Sequence, residues 1–321
     1  MSAIAVACWA ACGLLVLLEI TQVAHLGDGR GAALAHSFTP YLLALALPLA
    51  LVSWLLPDRA VLGVASLVAL LLAGLLMRTA RPPRRRDRPI PDPSSPVLTV
   101  LHSNVLFRNR RGPHEVADAL LAVEADVLVV CEMTATLHTA LDDHGALERY
   151  PHRIGYDGRR SEGLALWSRL PFVTTRAVHV GGRDALTVTV AVDGASFDVM
   201  ALHAPTPTSH AHGDQWAPWL RAIAGLMRSN ANPTLMVGDF NATRWHAPFR
   251  AILRAGYRDA HELSGRGFST SWPIGARFVP PFVRLDHALV DPRLAPCSLR
   301  DLTIPGSDHR AFVVSVALAA R

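Results

Sequence analysis

Thr234-Leu235-Met236-Val237-Gly238-Asp239-Phe240-Asn241 is a short apolar run that stops in a glycine, a carboxylate and an amide. A run of this length ending in turn residues reads as a buried strand. Asp239 and Asn241 lie two residues apart, so on an extended backbone they point to the same side. A rigid strand carrying such a pair can place an acid on a water's proton and an amide on the same reacting group. Gly-Asp-x-Asn is equally good turn chemistry, so the stretch gains weight only from what surrounds it.

Working outward, the pattern recurs. Residues 97–104 read as a strand ending in the amide of Asn104, and 126–132 as a strand ending in Glu132. Helical spacing covers 113–123, with Val116, Ala119, Leu120 and Val123 on one face, and a second helix is expected over 135–147. Short strands follow at 163–168, 172–178, 186–192 and 196–203, then a helix over 214–228. After the opening strand come three more, at 268–272, 284–290 and 311–318. This alternation predicts an α/β domain with mixed sheets over 97–321. Asn104, Glu132, His203, Asp239, Asn241, Asp286, Asp308 and His309 all sit at or just past the end of an apolar run. Neither a Ser elbow nor a Cys nucleophile context accompanies them. Acid, amide and imidazole together suit one site built around a hard metal ion.

The N-terminal third is a different material. Residues 3–20, 38–56 and 60–77 are almost wholly apolar, each about long enough to cross a ~30 Å hydrocarbon core. Three transmembrane helices are therefore expected within a membrane domain, 1–79, with a tight turn at Pro57-Asp58-Arg59. Residues 80–96 read as an extended Arg- and Pro-rich linker. The positive-inside rule puts that Arg cluster in the cytoplasm; anionic head groups on either side would also attract it. All 31 basic residues are Arg, which excludes a catalytic Lys. Eight Arg face five acids in 1–96, and 23 face 21 afterwards. The nearly balanced C-terminal part lacks the basic excess of a non-specific nucleic-acid binder. The four Cys form no metal or redox motif.

From about Val97 onward the chain resembles the endonuclease/exonuclease/phosphatase superfamily. The blocks that carry the likeness are 101–104 (Leu-His-Ser-Asn), 129–132, 163–169, 202–205, 238–241, 284–287 and 307–309 (Ser-Asp-His), with Ser271-Trp272-Pro273 between. Gln215 matches an Arg-x-x-Gln helix start in which His212 replaces the Arg. The resemblance implies a four-layer α/β/β/α sandwich, here preceded by three transmembrane helices. It implies Glu132 as the main ligand of Mg²⁺, or of Mn²⁺ in its place, with Asn104 and Asp308 close by. Asp239 would deprotonate or orient the attacking water, and Asn241 would hydrogen-bond the phosphoryl oxygen or that water. Asp286 would hold His309, and His309 with His203 would stabilise the phosphoryl charge.

The bond type implied is a phosphate ester or anhydride. Three spans would hold the site near a bilayer, which favours a lipid-borne phosphate or pyrophosphate as substrate. The layout is similar to a membrane subgroup, the VanJ-like teicoplanin-resistance proteins, associated with undecaprenyl pyrophosphate, and that likeness implies an outward-facing domain. A nuclease acting on DNA or RNA is the alternative. Arg108, Arg110 and Arg111, with Arg159 and Arg160, are placed to grip phosphates of either substrate. Trp216, Trp219 and the segment 272–282 are candidates for an apolar lip facing the membrane. No stable protein partner is expected.

Overall fold

The computed structural model describes residues 3–24, 26, 29–54, 59–79, 88–156, 163–180, 183–227 and 230–320. The expected turn at 57–59 and both Arg159 and Arg160 fall wholly or partly outside them. The chain forms two compact units.

The first unit comprises residues 1–81 with two later segments, 206–217 and 242–250. Its helices are α1 (Ala3–Val23), α2 (Arg30–Ser37), α3 (Thr39–Trp54) and α4 (Arg59–Thr79). Leu15, Ala46 and Ala69 bury against one another where α1, α3 and α4 pack. Among the described residues Ala3–Gln22 is the one helix long and apolar enough to be a membrane span or a signal sequence. The second expected span is instead a bent pair, α2 and α3, meeting at 60°. The third lies within α4, but three spans are not established. Polar side chains tie α1 and α2 to the later segments. His246 accepts from Thr243 N at Nδ1 (2.8 Å), so its Nε2–H donates to Ala33 O (2.7 Å). Arg250 reaches Gln22 O at 3.0 Å, and Arg30 reaches His210 O at 2.9 Å. The two later segments follow directly on the strands that end in His203 and Asp239.

Among the described residues the second unit holds every strand. The first sheet has β1 (Leu98–Asn104), β2 (Val127–Met133), β3 (His152–Gly155) and β4 (Gly163–Ser168). The second has β5 (Phe172–Val180), β6 (Arg183–Val192), β7 (Ala195–His203), β8 (Thr234–Asp239), β9 (Arg258–Asp259) and β10 (Asp286–Val290). β11 (Leu294–Thr303) and β12 (Arg310–Leu318) return to the first, giving the orders β11-β12-β1-β2-β4-β3 and β5-β6-β7-β8-β10-β9. Between the sheets Leu98, Val100, Val127 and Val129 meet Val188, Val199, Leu235 and Val237 in one buried core. On the outer face of the first sheet Leu101, Leu128 and Val130 pack on α5 (Pro113–Leu121) and α6 (Ala135–Asp143). The alternation 98/100 inward and 101 outward is the period-2 pattern of a sheet buried on both faces. The far face of the second sheet is also buried at Met200, Leu202 and Met236, as are Trp219, Leu220 and Ile223 of α8 (Gly213–Leu226). This is an α/β sandwich of two mixed sheets with helices.

Several expectations need correction. The helix over 135–147 breaks at Gly145, whose φ of 81° ends α6 before a short α7 (Ala146–Arg149). Residues 268–272 form no strand; Trp272 makes only an isolated bridge with Val283. Trp216 and Trp219 form no lip, because both are fully buried. Residues 88–96 are not free linker throughout: Asp92 N bonds Leu318 O at 2.8 Å and Pro91 bridges Ala319. Short helices α9 (Ala247–Arg254) and α10 (Ala260–Leu263) complete the chain.

Each sheet contains one parallel pair, β1 with β2 and β7 with β8. Parallel neighbours carry their C-terminal ends to the same edge, where α/β proteins place their sites. Gly238 lets β8 lie that close. A Cβ there would meet Leu202 O at 2.0 Å, and φ is 156°. Gly238→Ala is therefore expected to destabilise the fold by about 1–3 kcal/mol, read as a lowered Tm. An unchanged Tm would show that β7 yields easily.

Candidate active site

Strand register assembles the site. His203 on β7 pairs with Asp239 on β8, and Asp239 pairs with Asp286 on β10, so the three form one row across the second sheet. On the first sheet Asn104 ends β1 opposite Cys131 of β2, with Glu132 next along. Three non-glycine residues here hold left-handed backbone: Leu106 (φ 61°), Glu132 (φ 61°) and Asn241 (φ 47°). Such conformations persist where surrounding bonds over-determine them. Asn104 Oδ1 accepts from Leu106 N at 3.1 Å, Glu132 Oε2 from Phe107 N at 2.6 Å, and Asp239 Oδ1 from Asn241 N at 2.8 Å.

Asp286 is a buried hub. Its Oδ2 accepts from His309 Nδ1 at 2.7 Å and its Oδ1 from His102 Nε2 at 3.0 Å. Ser271 Oγ accepts from the Leu285 and Asp286 backbone N–H groups at 2.9 and 3.2 Å. Ser307 Oγ receives His309 N (3.0 Å) and donates to Asn104 O (2.6 Å), holding the β11–β12 loop against the end of β1. The flanking Arg284 and His287 are both committed to Asp259, at 3.0 and 2.7 Å. Asp286 alone of that run serves the site.

The second focus is the Asn104 amide. Its Nδ2 donates to Glu132 Oε1 at 3.0 Å and to Asp239 Oδ2 at 3.2 Å. His203 Nε2 stands 3.9 Å from Glu132 Oε1 and 3.8 Å from Asp239 Oδ2, beyond hydrogen-bond reach of either. Arg183 Nη1 donates to His203 Nδ1 at 3.5 Å, leaving the Nε2–H aimed at the two carboxylates. Asn241 gives its amide to Ala204 O at 3.0 Å. Asp308 is held by Trp272 Nε1 at Oδ2 (3.0 Å), while its buried Oδ1 has no partner and lies 4.0 Å from His309 Nε2.

The sequence profile of the Endonuclease/Exonuclease/phosphatase family matches residues 101–309, which takes in the whole span from Asn104 to His309. The chain belongs to that family. No curated protein sequence matches it. Solved structures of the family share the fold. A humanized D. rerio TDP2 superposes with a TM-score of 0.59 at 15% identity, covering 68% of this chain and 98% of that one. A family protein from Beutenbergia cavernae gives 0.54 at 20% identity, covering 70% and 72%. One from Bacteroides thetaiotaomicron gives 0.52 at 18%, covering 71% and 100%.

Endonuclease/exonuclease/phosphatase proteins are metal-dependent phosphodiesterases and hydrolases, and the residues present here fit a divalent cation. Glu132 and Asp239 offer carboxylate oxygens across a single amide, a hard donor set. Anionic charge at the site is under-compensated. Burial first, then the charge of Asp286, pushes Asp239 up to about 7, against the opposing pull of His309 and the Asn241 and Asn104 donors. The cluster Asp239, Asp286 and His309 is also compact enough for an ion. Both Asp286 oxygens and the His309 Nδ1 are already bonded to each other or to His102, however, so that cluster reads better as a proton-handling relay. Of the expected ligand set, Asn104 contacts Glu132, while Asp308 stands with Trp272 and His309. Ligation by Asn104 requires turning its amide so that Oδ1 leaves Leu106.

Protonation follows from the same contacts. Burial lowers the charge capacity of His309, but the facing Asp286 and Asp239 outweigh it and hold the imidazole at about 10. Burial also opposes ionisation of Asp286, and His309 and His102 overcome it, keeping that carboxyl well below the usual range. His203 goes the other way: burial, then Arg183 and His309, push it down to about 3. That direction favours the uncharged imidazole, which still offers an N–H to the phosphoryl group.

Two residues were missed in the sequence. His102, two positions before Asn104, shares its side of β1, and that spacing was the available signal. Arg183 reaches the site only through strand pairing and has no local signal. Arg108 is exposed and lies over the Phe107 ring at 5.4 Å, one residue from the Glu132 contact.

Proposed function

We propose that this protein is a membrane-held, divalent-metal-dependent phosphoesterase that hydrolyses a lipid-borne phosphate or pyrophosphate, of the undecaprenyl pyrophosphate type. The observation that carries the reaction class is the Asp286 hub, with a charged His309 on one side and Asp239 beside it. The apolar N-terminal helix and the two apolar runs after it support placement at a bilayer as a three-span protein, in the manner of the VanJ-like subgroup.

In this mechanism Glu132, assisted by Asn104, would hold the cation, taken as Mg²⁺, which when bound would supply positive charge to offset that of the phosphoryl group. Asp239, with a pKa near neutrality, takes the proton of the attacking water. Asn241 fixes Asp239 through its backbone N–H. His309, charged and oriented by Asp286, donates to the phosphoryl group as its charge builds. His203 adds a neutral N–H from the opposite side of Asp239. Arg108 supports the substrate's outer phosphate.

The second reading is nucleic-acid cleavage. It is favoured by the fold shared with a D. rerio TDP2 that was crystallised with a single-strand DNA product. One panel separates the two: purified full-length protein with Mg²⁺ against polyprenyl pyrophosphate, phospholipid, sphingomyelin, and plain or abasic DNA. Phosphate release from the polyprenyl substrate, lost on chelation, is the expected result. Rapid DNA cleavage without lipid phosphate release would overturn the lipid reading.

A further inference from the structure

The segment that seats Asp308 and Asp286 carries the two most exposed large apolar side chains of the described chain, one at its loop tip and one ahead of the loop's base. Phe268 is 91% exposed and Phe278 84%, above even the apolar N-terminal helices, where Trp54 reaches 74%. Val279 is exposed beside Phe278. Leaving two phenylalanines in water is a standing cost, and exposed apolar clusters with polar rims mark interaction surfaces.

The loop is built and held. Trp272 bridges Val283, with Phe282 N and Val283 N both bonded to Trp272 O at 3.0 and 3.1 Å, which closes residues 273–282 at their base. The Trp272 and Phe282 rings stack edge-on at 5.8 Å beneath it. Ile274 N bonds Asp308 O at 2.7 Å, and Trp272 Nε1 bonds the Asp308 carboxylate. The base is therefore fixed to the catalytic residues while the tip, Arg277-Phe278-Val279-Pro280-Pro281, projects from it.

Charge selects the occupant. Residues 264–285 contain Arg266, Arg277 and Arg284 and no acid. Arg284 is bonded to Asp259 and Arg266 lies 3.7 Å from Asp301. Arg277, whose guanidinium covers the Phe278 ring at 5.1 Å, supplies the charge at the tip. Aromatic side chains capped by an Arg match the boundary between acyl chains and anionic head groups, with the rings in the apolar layer and the guanidinium at phosphate level. We infer that the 265–282 loop docks on the surface of an anionic phospholipid bilayer and so sets the catalytic edge against lipid phosphates. This rests on the bilayer placement proposed above and deepens it by naming the surface that makes contact.

The test uses the full chain in vesicles of phosphatidylglycerol and phosphatidylcholine. Phe278→Cys and Phe268→Cys, each with Cys297→Ser to remove the exposed thiol, are labelled with an environment-sensitive fluorophore. Asp193→Cys in the same background is the reference, since it sits in the β6–β7 turn at the far end of β7 from His203. Spin-labelled lipid should quench positions 278 and 268 several-fold more than position 193, and the difference should weaken when phosphatidylglycerol is omitted. Equal quenching at 278 and 193, or a response of 278 to single-stranded DNA and not to lipid, would overturn the inference. The readout needs no turnover. A protein that cleaves only DNA yet shows quenching at 278 loses the lipid-phosphate reading and keeps this surface; lipid phosphate release without quenching does the reverse.

Discussion

Replacing Glu132 by Ala is expected to abolish metal-dependent phosphate release, a loss of at least about 10³-fold in kcat/KM. Its Oε1 is one of only two carboxylate oxygens bridged by the Asn104 amide, and Oε2 also holds the Phe107 N–H. Truncation therefore removes a hard oxygen donor and frees the backbone that carries Arg108. The side chain is partly exposed at the site and not part of the core, so the fold should survive, with a Tm close to that of the parent. Calorimetric titration with Mg²⁺ separates the causes. Weakened ion binding with an unchanged Tm places Glu132 as a ligand; wild-type activity in the variant would sink the assignment. Glu132→Gln should recover little, because an amide replaces the charge that attracts the ion. Adding chelator to the parent protein should reproduce the Ala phenotype.

The sequence was most readable where structure concentrates hydrophobic contrast. Central strands β1, β2, β7 and β8 are buried on both faces, so each appears as an apolar run that stops sharply at its polar tip, and the tips are the site. Three strands escaped notice: β3 and β11 are the two edges of the first sheet, and the two-residue β9 is an edge of the second. Edge strands are held by a neighbour's backbone on one side and carry polar residues on the other, so their own residues carry little periodicity. β11 contains Pro296 and a register shift beside it, which further blurs the pattern. Residues 268–272 show the converse error. Phe-Ser-Thr-Ser-Trp looks like a β-prone run, but Ser271 spends its hydroxyl on the Leu285 and Asp286 N–H groups and its backbone on Val283 and Arg310. A tertiary demand outweighed local propensity there. His102 was overlooked for a different reason: it lies inside a strand and not at its tip, and only the second sheet's Asp286 gives it a role.

That shared role makes Asp286→Asn the most revealing substitution. The carboxylate joins two imidazoles, His309 at 2.7 Å and His102 at 3.0 Å, in a fully buried position. Asn keeps the volume but offers one acceptor and one N–H₂ donor, so one of the two imidazole N–H groups must face a donor. Turnover should fall by about 10³–10⁴-fold, the scale found when the acid that orients a catalytic imidazole is neutralised. KM should change far less, because Asp286 is buried with both oxygens committed to His309 and His102. The pH profile supplies the sign. His309 is held at about 10 chiefly by the opposing charges of Asp286 and Asp239. Removing the nearer charge lowers that pKa, so residual activity that needs a protonated His309 should be lost at a lower pH than in the parent. The basic limb moves toward neutrality. Asp239 moves the same way: without the Asp286 charge its carboxyl falls from about 7, so the acidic limb also shifts to lower pH. A displaced pair of limbs with a small KM change identifies Asp286 as the residue that sets both partners. His102→Phe offers the contrast, since it removes one N–H donor to Asp286 and leaves the His309 contact in place. Its loss should be about 10–100-fold, the range for a partner that orients a working group without touching substrate. If His102→Phe costs as much as Asp286→Asn, the two imidazoles act as one unit, and the division of labour argued for His309 fails.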